Sequence, residues 1–146
     1  LWFLSLDAAS APACAVARAT LGLPYYRARM ARTGSGADRG YRSLRLPPGR
    51  RPASFRAAWR VGAPIPAPGE ADRFLAERHA LYSSALGRLL RVRVRHPPWA
   101  LHEATLLALE ESVTGAAGLA GAGAPALVRW SAGVDVEVLA PERIRA

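Results

Sequence analysis

The residue types best suited to chemistry lie in a segment, Tyr25 to Thr33, where bulky and charged residues alternate. Such alternation predicts a strand, so Tyr25, Arg27 and Arg29 would share one of its faces. An arginine can bind a carboxylate through two parallel hydrogen bonds, and a tyrosine hydroxyl can orient or protonate the bound group. We therefore predict a ligand-binding face here. The alternative is that this face points to water and its arginines are solvated.

Arg78 and His96 are two further candidates for ligand binding. Arg78 lies one helical turn from Phe74 and Tyr82 in a segment predicted to be helical, which places it on the apolar stripe. A buried guanidinium needs a carboxylate partner, so a structural ion pair is the alternative to a bound ligand. His96 follows the predicted strand 88–95 and is of the type that titrates near neutral pH. It could act as an acid or base, or simply cap the end of the strand.

Composition excludes or disfavours several kinds of catalysis. The chain has no lysine, so a Schiff base cannot form on one of its side chains. The glycines between 118 and 123 lack the Lys-Ser/Thr ending of a phosphate-binding loop, and no serine lies in a nucleophile elbow. His79, His96, His102 and Cys14 do not show the usual short spacings of metal ligands. We therefore predict no metal and no other cofactor, and these residues do not identify a reaction.

The charge of the chain comes entirely from arginine. Twenty arginines against eleven acidic residues give a formal net charge of +9, which can indicate a surface for nucleic acid or an acidic protein. No run of five or six consecutive basic residues occurs, which disfavours nucleic acid as a partner. The direction of five arginines separates ligand binding in a cavity from binding of an acidic partner at the surface. They would point inward to a cavity in the first case and outward as one patch in the second: Arg27, Arg29, Arg91, Arg93 and Arg95.

Cysteine content and hydropathy bear on the location of the protein. The single cysteine, Cys14, cannot form an internal disulfide, so a reducing, cytoplasmic location is expected. No apolar run reaches the roughly eighteen residues that a membrane-spanning helix needs, so we expect no membrane partner.

The order of predicted elements favours a mainly β chain of the α+β class. Strands are predicted at 1–6, 25–33, 41–46, 54–61, 88–95, 127–130 and 134–139. Helices are predicted at 13–21 and 70–82, proline argues against regular structure at 62–69, and 101–113 fits a strand or a helix. These elements fit an antiparallel barrel or sheet with helices packed on it, in a single domain over 1–146. The chain begins within its first predicted strand, so we expect the N-terminal part of the domain to be missing and the fragment to fold poorly alone.

Four blocks of sequence carry a resemblance to a known family. They are Trp2–Asp7, Leu23–Met30, Phe74–Arg78 and His96–Trp99. In this order they resemble the YqjF-like family of uncharacterised proteins (domain of unknown function 2071). The resemblance implies an acetoacetate-decarboxylase-like antiparallel β-barrel with short outer helices, of which 1–146 would be the C-terminal portion of a longer YqjF-like protein.

A shorter segment, from Leu6 to Tyr26, also resembles the signature of acetoacetate decarboxylases themselves. There a Gly-x-Pro precedes two lysines, the first of which faces the cavity and forms a Schiff base. Tyr25 and Tyr26 stand at those two positions, so the resemblance implies the scaffold without its best-known chemistry.

The expected function is therefore that of an uncharacterised barrel protein that binds or transforms a small apolar or carboxylate-bearing molecule without Schiff-base chemistry. Its ligand-binding residues would be Tyr25, Arg27, Arg29, Arg78 and His96. The alternative is a non-catalytic, arginine-rich protein that contacts an acidic partner or nucleic acid.

Overall fold

The computed structural model describes residues 1–47, 52–119 and 123–144. The chain is mainly β, as predicted, with a few short helices. The helices are α1 (Ala11–Leu21), α2 (Glu70–Ala76) and α3 (Val113–Ala116). The strands are β1 (Leu6–Ala8), β2 (Tyr25–Ser35), β3 (Asp38–Arg45), β4 (Ser54–Pro64), β5 (Ala80–Ala85), β6 (Arg88–Arg95), β7 (His102–Glu111), β8 (Arg129–Trp130), β9 (Glu137–Val138) and β10 (Glu142–Arg143).

The large sheet is a curled, six-stranded half-barrel with the order β1-β2-β3-β4-β7-β8. Its first pair is parallel and the others are antiparallel. The predicted hairpin is confirmed as β2–β3, which turns at Gly36 and Ala37. Gly34 (φ 85°) and Gly36 (φ 58°) have positive φ angles there, which only glycine adopts without strain. Because β4 also pairs with β3, three long strands present a continuous surface.

The small sheet has the order β10-β6-β5, and β9 pairs with the end of β6. A tight turn at Leu86 (φ 51°) and Gly87 (φ 70°) joins β5 to β6. The strand predicted at 88–95 is confirmed with its bounds, and Val92 is fully buried as its alternation requires. The segment that contains β9 and β10 thus pairs with β6 at two places, Leu90–Arg91 and Val94–Arg95.

The helix predicted at 70–82 is too long. It ends at Ala76, and residues from Ala80 onward form β5, where Tyr82 pairs with Arg91 of β6. The apolar residues that suggested a continued helical stripe instead contribute to a strand, because pairing with β6 outweighs local helix preference. As a result, Arg78 lies after the helix rather than on its apolar stripe.

Two other boundaries differ from prediction. The strand expected at 1–6 is found at Leu6–Ala8, while β4 continues through Gly62 to Pro64 instead of ending before the proline-rich stretch. Proline is tolerated at the end of β4 because the pairing with β7 is irregular between Val61 and Pro64. The ambiguous segment 101–113 is a strand for most of its length.

The core lies against one side of the large sheet, which we call the buried face. Cross-strand pairing places Ala28, Ser43, Arg45 and Ala57 on this face, and all four are buried. Helix α1 packs on the other side, against β1 and β2. Many large apolar side chains remain exposed, including Leu107 on β7, and some buried apolar residues, such as Leu23 and Leu101, lie outside the strands. Within the described ranges, no helix is both long and apolar enough to cross a lipid bilayer.

Candidate functional site: the buried face of the large sheet

A polar cluster fills the buried face next to β1. The Nη2 atom of Arg45 lies 2.7 Å from Oδ1 of Asp7, and the two side chains are only 1% and 8% exposed. Ser43 donates to the other carboxylate oxygen of Asp7 at 3.2 Å, and Ser5 accepts from Arg45 at 2.7 Å. The guanidinium also lies 3.9 Å from the ring centroid of Tyr26. Each charge has partners, so this cluster anchors β1 to β3.

Tyr41 lies further along the same face and connects this cluster to the hairpin end. Burial raises the pKa of the Tyr41 hydroxyl, the charge of Asp7 raises it further, and the charge of Arg32 opposes both. The phenol is therefore protonated at neutral pH and can donate a hydrogen bond. Its ring packs 6.1 Å from that of Phe55, which fixes its orientation.

A pocket of about 570 Å³ opens on the buried face at the hairpin end of β2 and β3. Pairing of Arg32 with Tyr41, and of Arg39 with Trp59, brings both arginines to the same side of the sheet. Trp130 of β8 forms part of the lining, with the Arg39 guanidinium 5.9 Å from its ring centroid. The pocket therefore combines two cations with aromatic surfaces.

Two details show how the fold shapes this pocket. The indole nitrogen of Trp59 is buried and has no hydrogen-bond partner among the described residues. The rings of Trp130 and His102 pack edge to face, with centroids 5.3 Å apart.

A smaller cleft of about 370 Å³, which Trp130 also lines, lies between α2 and β8. Its polar groups are already engaged: Arg129 donates to Asp72 at 2.8 Å. The backbone N–H of Gly69 and the Arg129 guanidinium together lower the pKa of the Asp72 carboxyl. Since its charges satisfy each other, this cleft offers an apolar surface of Trp99 and Leu101 rather than a binding group.

The structure places three of the predicted site residues on β2, facing away from the pocket. Ala28 is on the buried face, so Arg27 and Arg29 are on the opposite one, and both are exposed. Arg27 lies beside α1, where it lines a shallow surface depression. Tyr25 is half-buried at the start of the strand, opposite Leu6.

The other two predicted residues lie near the α2–β5 connection. The guanidinium of Arg78 lies 3.7 Å from the centroid of the Phe74 ring, which is itself exposed. The His96 side chain is only 3% exposed and stacks on His79, with centroids 4.5 Å apart. Glu77 completes this group, because its carboxylate lies beside both rings.

Three arginines of β6, namely Arg91, Arg93 and Arg95, extend outward from the small sheet and have acidic partners. Arg91 and Arg93 both bind Glu142 of β10, and Arg95 lies 3.6 Å from Glu137 of β9. The hydrogen bonds from Arg91 and Arg93 lower the pKa of Glu142. These arginines and the exposed pair on β2 belong to different sheets, and the β6 set is largely neutralised.

Sequence analysis did not single out the residues that line the hairpin pocket: Arg32, Arg39, Tyr41, Trp59 and Trp130. A signal was present, because Tyr26, Ala28 and Met30 form the apolar set of β2 and Arg32 continues their alternation. What local pattern could not provide was the register of β3 and β4, which brings Arg39 and Trp59 beside Arg32.

Comparison with known proteins identifies a family but no activity. The family described as "Uncharacterized conserved protein" and designated DUF2071 matches residues 1–135. The chain is 34% identical over 121 residues to the uncharacterized protein YqjF of Bacillus subtilis (strain 168). This alignment covers 82% of the chain but 49% of YqjF, so the chain spans about half the length of that relative. No solved structure matches the chain.

Proposed function

The chain belongs to the DUF2071 family of uncharacterised conserved proteins. Because that description names no activity, we propose a function from the geometry of the hairpin pocket. This pocket would bind a small molecule that has a carboxylate at one end and an apolar body. The guanidinium groups of Arg32 and Arg39 would receive the carboxylate. The rings of Trp59 and Trp130 would cover the apolar body.

One observation carries this proposal. Arg32 and Arg39 line one pocket, and neither has an acidic partner within 4 Å among the described residues, whereas Arg45 on the same face is paired with Asp7. Two neighbouring cations repel each other, so an anion between them relieves this repulsion and gains charge-assisted hydrogen bonds. The volume of about 570 Å³ is in the range of small-molecule sites.

A neutral donor in the pocket would add selectivity. The Tyr41 hydroxyl is protonated at neutral pH. A ligand with an additional carbonyl or hydroxyl oxygen beyond its carboxylate would accept a hydrogen bond from this hydroxyl. This favours oxo and hydroxy acids over simple fatty acids.

We also propose that the curled sheet belongs to an acetoacetate-decarboxylase-like barrel. The support is the sequence resemblance around Leu6 to Tyr26 together with a half-barrel sheet that carries α1 on its outside. Residues 1–146 contain no lysine, at these two positions or elsewhere, so the proposal concerns binding and not Schiff-base decarboxylation on one of these side chains.

The test is an NMR titration with 4-hydroxyphenylpyruvate, an aromatic oxo acid, and with its uncharged methyl ester. We expect the acid to bind and the ester to bind at least tenfold more weakly. Arg39→Gln should weaken binding of the acid roughly 10- to 150-fold, which corresponds to the 1.5–3 kcal/mol of a charged hydrogen bond. Arg29→Gln, on the opposite face of β2, is the matched control and should change nothing. Equal binding of acid and ester, or equal effects of the two variants, would refute the proposal.

The alternative of an arginine-rich contact surface has less support. Arg91, Arg93 and Arg95 are each paired with Glu142 or Glu137, and they belong to a different sheet from Arg27 and Arg29. An acidic partner would first have to displace these carboxylates. Binding of polyanions such as heparin with no dependence on Arg32 or Arg39 would favour this alternative.

A further inference from the structure

A second group of chemically capable side chains lies outside the hairpin pocket, where α2 meets β5. Glu77 caps the end of α2, His79 directly precedes β5, and His96 directly follows β6. One potential metal-binding atom from each residue lies within 4.8 Å of the other two. The Nε2 atom of His79 is 3.5 Å from Oε2 of Glu77, and the Nδ1 atom of His96 is 4.0 Å from the same oxygen.

Backbone contacts hold these three residues in register. The backbone N–H of Val94 donates to the carbonyl oxygen of His79 at 2.9 Å, and Ala80 pairs with Arg93. The antiparallel pairing of β5 with β6 therefore brings His79 close to His96. The backbone N–H of Trp99 donates to Oε1 of Glu77 at 3.2 Å, which leaves Oε2 directed at the imidazoles.

The surroundings of His96 also suit a metal ligand. Its Nδ1 lies 2.9 Å from the carbonyl oxygen of Pro97, and a proton on Nδ1 would make this contact a hydrogen bond. Such a bond fixes the ring and leaves Nε2, rather than the Nδ1 that lies 4.0 Å from Glu77, as the nitrogen that would bind the metal. The Trp99 ring packs edge-on against His96, 5.9 Å between centroids, and keeps the site partly shielded from water.

We propose that Glu77, His79 and His96 form a binding site for a divalent transition-metal ion, with zinc as the reference metal. Two imidazoles and one carboxylate are a ligand set that zinc accepts with bonds of about 2.0–2.2 Å. Such bonds place ligand atoms roughly 3.0–3.6 Å apart, so separations that are now as long as 4.8 Å must shorten by roughly 1–2 Å. The His79 side chain is 54% exposed and can make this movement. Its exposure also leaves at least one coordination position open to water.

An ion pair between the carboxylate and protonated histidines is the competing explanation of this cluster. The two rings stack with their centroids 4.5 Å apart and 19° from parallel, so both lie beside the same Glu77 carboxylate. A single metal ion instead satisfies both rings and the carboxylate together. Sequence spacing predicted no metal here, because the ligands come from two strands and a helix end that meet only after folding.

The test uses tag-free protein, treated with a chelator and then titrated with zinc chloride. Zinc should bind saturably with one-to-one stoichiometry in calorimetry. The chain has only three histidines, so imidazole NMR signals provide an internal control. Zinc should shift the signals of His79 and His96 and leave His102, which contacts Trp130, unchanged. Cobalt(II) in place of zinc should give the visible absorption of a four- or five-coordinate site.

Variants separate the proposed site from non-specific binding. His79→Ala changes an exposed side chain, and Glu77→Gln keeps an acceptor for the Trp99 N–H, so both should fold. Each should weaken zinc binding by at least about tenfold, whereas His102→Ala should bind zinc as the parent does. Zinc binding that is unchanged in His79→Ala, that shifts His102, or that fails to saturate would overturn the proposal. So would the absence of binding to folded protein.

Discussion

The buried ion pair between Asp7 and Arg45 provides the sharpest test of how the large sheet is held together. In Asp7→Ala, the guanidinium of Arg45 would remain 1% exposed without its carboxylate, although Ser5 and the Tyr26 ring still contact it. Leaving a buried charge without its counterion costs about 3–5 kcal/mol. We expect this loss in the free energy of unfolding, measured by urea denaturation followed by circular dichroism.

The double variant distinguishes a buried charge effect from simple loss of packing. Replacing both partners by apolar residues is often nearly neutral, so Asp7→Ala combined with Arg45→Met should be at least as stable as Asp7→Ala alone. Asp38→Ala is the matched control, because its pair with Arg60 joins the same sheet but both side chains are more than half exposed. It should leave stability essentially unchanged. Additive losses in the double variant, or equal losses for Asp7→Ala and Asp38→Ala, would refute the reasoning.

Two further predictions follow from other parts of the fold. Gly22→Ala should destabilise the protein more than Gly87→Ala does, because both glycines have positive φ but only at Gly22 would the new Cβ meet a backbone oxygen, that of Ser84 at 2.3 Å. We expect the free energy of unfolding to fall by about 1 kcal/mol in Gly87→Ala, from conformational strain alone, and by roughly 2–3 kcal/mol in Gly22→Ala. Urea denaturation measures both losses, and equal values would contradict the structure. Because its partners lower the pKa of Glu142 below the ordinary 4.5, this group stabilises the folded state above pH 4.5, and the contribution disappears as the pH falls through the lowered value. Glu142→Gln should therefore show a lower melting temperature at pH 7 and a shallower decline on acidification than the parent; parallel curves would exclude this role for the pair with Arg91.

Sequence analysis succeeded where a local pattern and tertiary pairing agree. From Leu90 to Arg95, leucine or valine alternates with arginine, and the resulting β6 buries Val92 while Arg91, Arg93 and Arg95 face outward. The hairpin of β2 and β3 was predictable because glycines mark its turn. The helix predicted at 70–82 was too long because Leu81 and Tyr82 fit either period, and only the presence of β6 as a partner decides for a strand.

The candidate sites were less predictable, for two physical reasons. On β2 the local pattern separates two faces but does not say which one is covered, and the resemblance to a lysine enzyme favoured the face of Tyr25. The structure buries Ala28 and leaves Arg27 and Arg29 exposed. For the histidine cluster, His79 and His96 are far apart in sequence, and the ladder between β5 and β6 that joins them was itself hidden by the overlong helix.

The arginines of the buried face then indicate where a ligand would bind. Arg45 is almost fully buried and has Asp7 beside it, as a charge removed from water requires. Arg39 is half-buried and Arg32 exposed, and within the described residues they share a pocket without an acidic partner. Cations without a counterion are tolerated only where water or an anion can reach them. The face therefore passes from a closed, internally neutralised end at Asp7 to an open, positively charged end at the hairpin. A carboxylate bound at the open end would complete there the same neutralisation that Asp7 provides for Arg45, with Tyr41 between the two.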